Sequence, residues 1–134
     1  MDIKLDAVWG TPSGAYNPYT ANNGGGYWQF NGGARFSAGN GQFVIIEVTD
    51  TSCGDFGTRL WYDITVQDAT KALTWYVNMG TMDDASIDSQ EIIDAVFAAI
   101  AKELGVLPDD IDNMLCDAYR GAYEAAWREY YGNV

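Results

Sequence analysis

"DSQEIIDAVFAAIAKELG", residues 88–105, is where the hydrophobic pattern of the chain changes period. At about 100° per residue, Ile92, Ile93, Val96, Phe97, Ile100 and Leu104 fall on one apolar face, the signature of a helix with one buried side. Asp88 stands three residues before Glu91, a capping-box-like start with Asp in the cap. Gly105 supplies the residue that most readily adopts the left-handed conformation past a helix end. Beyond it, "LPDDID" at 107–112 opens a second helix, with Pro108 in the first turn and Asp109, Asp110 and Asp112 where the helix dipole favours negative charge. That helix is predicted to run to about Tyr131.

Upstream of residue 88 the period is 2. "DIKLDAVW" (2–9) alternates Ile3, Leu5, Ala7 and Trp9 on one face, as a half-buried strand does. Residues 10–26 read as a long loop rich in Gly, Asn and Pro that also carries Tyr16 and Tyr19. "YWQF", "NGG" and "ARFS" (27–37) predict a short hairpin, because Asn-Gly-Gly tolerates the positive φ of such turns. "GNG" (39–41) marks a second turn. "QFVIIEVT" (42–49) is apolar enough to be a central strand covered on both faces. After a loop at 50–57 come "TRLWYDITV" (58–66), with Leu60, Tyr62, Ile64 and Val66 on one face, and "ALTWYVNM" (72–79), with Leu73, Trp75, Val77 and Met79 on one face. Short connections make this an antiparallel meander. The expected class is therefore α+β: an antiparallel sheet of four to six strands in residues 1–80, then a two-helix hairpin over 88–131, in one domain spanning 1–134.

The last helix divides into stripes. Ile111, Leu115, Ala118, Ala122 and Ala126 form a narrow stripe whose small residues suit close approach of a neighbouring helix, with 88–104 the natural partner. Tyr119, Tyr123, Trp127 and Tyr130 form the adjoining stripe, which is expected against the sheet. Tyr, Trp and Arg are enriched at interface centres, so Tyr119, Arg120, Tyr123, Trp127, Arg128 and Tyr130 are also candidate interface or ligand residues. Trp9, Tyr16, Tyr19, Tyr27, Trp28, Phe30 and Phe36 make a second aromatic group, among Asn and Gly, with core as the simpler reading.

The 134 residues contain no histidine and two cysteines, Cys53 and Cys116. Without histidine the commonest general base is missing, Cys53 lacks a partner that would make it a nucleophile, and a zinc site has too few ligands. Asp83, Asp84, Asp88 and Glu91 lack the central glycine and alternating oxygens of a calcium loop. Phosphate-cradling glycine motifs are missing too: "GGG" (24–26) is not followed by a helix. The expectation is a protein without enzymatic activity, cofactor or metal. No apolar run suits a signal peptide or a membrane helix, so the expected location is the cytoplasm of the host cell.

Nineteen acidic against seven basic residues give a net charge of −12. Such a surface repels nucleic acids and anionic membranes and attracts basic partners. Between residues 83 and 117 the only base is Lys102, set among Asp83, Asp84, Asp88, Glu91, Asp94, Glu103, Asp109, Asp110, Asp112 and Asp117. These acids gather around the starts of both helices. A small, strongly acidic, histidine-free α+β chain resembles the anti-defence inhibitors of phages and mobile elements, of which anti-CRISPR proteins are the best-known group. The resemblance lies in composition. It implies an inhibitor that binds a basic host protein, a nuclease or effector complex, and in some cases mimics nucleic acid. On that expectation Asp83, Asp84, Asp88, Glu91, Asp94, Asp109, Asp110, Asp112 and Asp117 bind the partner. One alternative is a ligand-binding module in which aromatics with Arg59, Arg120 and Arg128 hold a small anion such as a signalling nucleotide. Another is a structural protein that forms homo-oligomers through the C-terminal aromatic stripe.

Overall fold

The computed structural model describes residues 3–13, 29–51, 59–80 and 88–131. Five strands, β1 (Ile3–Pro12), β2 (Phe30–Ala38), β3 (Phe43–Asp50), β4 (Leu60–Gln67) and β5 (Ala72–Asn78), precede two helices, α1 (Gln90–Leu104) and α2 (Pro108–Tyr131). The strands lie side by side in chain order and each neighbouring pair is antiparallel, the meander that the short connections predict. The α+β class with two C-terminal helices follows the sequence reading.

The turns follow from local chemistry. Gly41 takes φ 83° at the β2–β3 turn, and the Ala38 amide donates to the Gln42 carbonyl at 2.9 Å. At the β4–β5 turn the Asp68 carboxylate accepts from the amides of Thr70 (2.7 Å) and Lys71 (3.0 Å), an Asx-type closure. The carboxyl of Asp68 is held below its usual range, chiefly by the Thr70 hydroxyl and amide.

Both helices pack on the same side of the sheet. Alternate residues of β3 (Val44, Ile46, Val48) and β4 (Tyr62, Ile64, Val66) are buried there with Ile93, Phe97, Ile100 and Leu104 of α1 and Ile111, Leu115 and Ala118 of α2. β3 is thus covered on one face, not two: Glu47 is exposed, and Phe43, Ile45 and Thr49 are half-buried on the opposite side.

Four local expectations are corrected. Asn31-Gly32-Gly33 is not a turn, because β2 runs straight through it. Its glycines serve a close approach instead. Gly10 and Gly32 are cross-strand partners, and α2 lies directly over them. A Cβ on Gly10 would overlap the Ala122 carbonyl, and one on Gly32 would lie 2.7 Å from the Ala122 Cβ. Small residues at 122 and 126 therefore admit the sheet rather than another helix. The strict alternation in β1 also fails. Pairing slips between Leu5 and Ala7, leaving Asp6 as an extra residue that accepts from the Ser37 hydroxyl and lies 4.0 Å from Arg35. Ile3 and Leu5 face α2 before the bulge, Val8 and Gly10 face it afterwards, and Trp9 turns to the other side. Finally, Ser89 caps α1, accepting from the Ile92 amide at 3.3 Å. Asp88 instead accepts from the Asn78 amide at 2.9 Å and ties the helix start to β5. The far end is as predicted, with Gly105 at φ 71°.

Candidate functional site

Helix α2 presents three sides. Ile111, Leu115, Ala118, Ala122 and Ala126 point into the core and are buried. One flank carries Asp109, Asp112, Cys116, Tyr119, Tyr123 and Trp127, spaced three and four residues apart. The other flank carries Asp110 and Asp117, which line a cleft with Ile3, Leu5 and Phe36 of the sheet.

The acidic candidates are thereby sorted. Asp94, Asp109 and Asp112 come together in a groove of about 350 Å³ with Gln90, Phe97 and Pro108. Glu91 is exposed at the start of the neighbouring helix. Asp110 and Asp117 lie around the side of α2, in the cleft with Ile3, Leu5 and Phe36, apart from Asp94, Asp109 and Asp112. Asp110 accepts from the Leu107 amide at 3.0 Å and Asp117 lies 3.9 Å from Arg120, so both have local partners. Asp88 is taken up by Asn78. Asp83 and Asp84 lie outside the described residues, as do Cys53, Tyr16, Tyr19, Tyr27 and Trp28.

Farther along the same flank the chemistry becomes aromatic. Tyr119 and Tyr123 stack with centroids 6.4 Å apart, and Tyr123 stacks on Trp127 at 6.3 Å. Both tyrosines meet the sheet edge-on at Phe30, at 5.3 and 5.6 Å. The stripe is half-buried rather than core, because the glycine path beneath Ala122 draws the alanine side down and leaves the tyrosines at the margin. Tyr130, farther along, is exposed. Tyr119 and Tyr123 wall a groove of about 570 Å³ with Leu60, Tyr62, Cys116, Arg120 and Glu124. Arg128 lines a smaller recess beside Tyr123 and Trp127. Arg59 is exposed next to Leu60 in the chain.

A buried polar pair lies beside this groove. Asp50 is 3% exposed, and the Tyr119 hydroxyl donates to its carboxylate at 2.6 Å. Burial pushes the Tyr119 hydroxyl far above the usual tyrosine range, and the bond to Asp50 pushes it further. Burial does the same to Tyr62, with smaller contributions from the nearby Cys116, Asp50 and Asp112. Asp50 and Tyr62 were not sequence candidates. The signal was present: Asp50 continues the parity of Val44, Ile46 and Val48, and so had to point into the helix-covered face.

Among the described residues no group of three acidic or cysteine side chains is placed to hold a metal ion. No described helix is long and apolar enough to cross a membrane. Comparison of the chain with protein-family models, curated proteins and solved structures finds no match.

Proposed function

We propose that this chain is a non-enzymatic binding protein that sets the acidic flank of its helical pair against a basic, nucleic-acid-binding surface of a host defence protein, as an anti-CRISPR-type inhibitor does. The observation that carries this reading is the lack of internal compensation. Among the described residues the ion pairs are Arg35–Asp6, Lys71–Glu103 and Arg120–Asp117. None reaches Glu91, Asp94, Asp109 or Asp112, which stand on two packed helices with their charge available to a partner. A rigid array of carboxylates can occupy a lysine- and arginine-lined groove that otherwise takes phosphates.

The test is competition. Purified CRISPR effector complexes and restriction nucleases are loaded with labelled duplex DNA and challenged with this protein. The expected result is release of DNA from at least one of them, weakening as salt is raised. Retention of DNA by every complex at low salt would sink the reading.

The groove walled by Tyr62, Tyr119 and Tyr123 favours one second reading, a site for a flat ligand stacked on tyrosine faces with Arg120 at its rim. Arg59 and Arg128 stand nearby in the chain for an anionic ligand. A rise in Tm with a signalling nucleotide, lost in Tyr123→Ala, is the result this reading requires.

A further inference from the structure

The sheet face turned away from both helices carries an arrangement separate from the helical flank. Glu47 in β3 and Asp63 in β4 are direct cross-strand partners. Their parity puts both on this outer face, because Val48 and Tyr62 beside them are buried under the helices. Trp9 reaches the same row. A Cβ on Gly33 would lie 2.8 Å from its Cζ2, so the indole lies against Gly33, whose partner on the other side is Glu47. Tyr76 is the partner of Asp63 on β5. Read across the sheet, the row is Trp9 over Gly33, then Glu47, Asp63 and Tyr76, two carboxylates between two aromatic rings. Trp9 is 41% and Tyr76 55% exposed.

Like charges directly opposite each other destabilise a strand pair, and side chains there stand about 5 Å apart. Among the described residues no ion pair relieves them. Arg35, on the same face, is held by Asp6 and lies 4.1 Å over the Phe43 ring. Among the described residues neither Glu47 nor Asp63 has a hydrogen-bond or ion-pair partner. A second copy of this chain does not suit the face, since it would bring four carboxylates together. A planar cation does. A guanidinium can bridge two neighbouring carboxylates with parallel N–H donors while its charge is attracted to the indole and phenol rings nearby, a pairing that suits its planar fork better than the point charge of a lysine ammonium.

We propose that this face docks an arginine side chain presented by an extended segment of a partner protein, with the guanidinium over Glu47 and Asp63 and the rings of Trp9 and Tyr76 on either side. The site is independent of the helical flank and stands whether or not that flank binds a nuclease.

The experiment is a nuclear magnetic resonance titration of isotope-labelled full-length protein with nona-arginine, and separately with nona-lysine, at physiological salt. Saturable shifts are expected at the Trp9 indole and at the Glu47 and Asp63 amides, with nona-arginine binding more tightly than nona-lysine. Glu47→Gln combined with Asp63→Asn should weaken nona-arginine at these resonances about tenfold. The same variant should melt higher than the parent, because the repulsion is gone, and that separates lost docking from lost folding. Asp94→Asn with Asp109→Asn removes the same charge from the helical flank and should leave the sheet-face shifts in place. The proposal is overturned by shifts confined to the helices, by equal affinity for the two peptides, or by equal losses in the two double variants.

Discussion

A single hydrogen bond shows how much rests on one side chain. Asp50 is a carboxylate almost wholly out of solvent, and the Tyr119 hydroxyl is one of the groups that make it tolerable there. Tyr119→Phe keeps the ring against Phe30 and removes the donor. It should cost about 1–3 kcal/mol in urea unfolding, since a buried acceptor is left short of a partner. The alkaline limb of the stability curve tests the same cluster. Tyr62 and Tyr119 both bind their protons more tightly in the folded chain than their ordinary values allow. Above about pH 10 the unfolded chain releases those protons while the folded chain keeps them, so the unfolded state binds fewer and stability falls as pH rises. The contribution of these tyrosines is fully present below that pH. Melting temperatures recorded from neutral pH upward should therefore drop beyond about pH 10, and less steeply in Tyr62→Phe.

Among the elements, the placement of α2 depends on glycines whose role is packing, not turning. Gly10→Ala would drive a methyl group into the Ala122 carbonyl. The helix would have to lift off β1 and β2, and a loss of about 3 kcal/mol or more is expected in the same unfolding assay. Gly41→Ala is the control: it meets open space, and with φ 83° it should cost only about 1–2 kcal/mol of backbone strain. The contrast explains what the sequence could and could not disclose. The strands, their order and both helices were legible because their periods of 2 and 3.6 are local properties of consecutive residues. Asn31-Gly32-Gly33 misled because glycine has one appearance in sequence and two uses, positive φ and the absence of a Cβ. Only the helix lying across Gly32 decides between them. The bulge at Asp6 was invisible for a related reason: the register of β1 is set by Ser37 and Arg35 on the next strand, about thirty residues away. Of the candidate site, the acids themselves were legible and their division between two flanks of α2 was not, since that depends on which side the core claims.

At the scale of the whole molecule the net charge of −12 works against the compact state. Added sodium chloride should raise Tm by screening that repulsion, before any question of partners arises. Local roles absorb part of the charge: Asp88 holds Asn78, Asp110 holds Leu107, and Glu103 pairs with Lys71 at 2.9 Å. Asp94, Asp109 and Asp112 remain gathered in one groove without a cation. If they serve solubility alone, their sign is immaterial so long as the net charge stays far from zero. If they are the working surface, their sign is everything. Asp94→Lys, Asp109→Lys and Asp112→Lys in one chain leave a charge of −6, still enough to keep it soluble. Asp110, which bonds the backbone, is left in place. Stability should fall modestly, by about 0.3–1 kcal/mol for the dipole contact of Asp109 at the start of α2. Binding to a basic partner should weaken mainly through a slower association rate, because the steering field has been reversed at the docking surface. Stopped-flow association against the nuclease or effector that releases its DNA measures this directly. An association rate unchanged in the folded triple variant would reduce this flank to a solvated face and move attention to the tyrosine groove beside it.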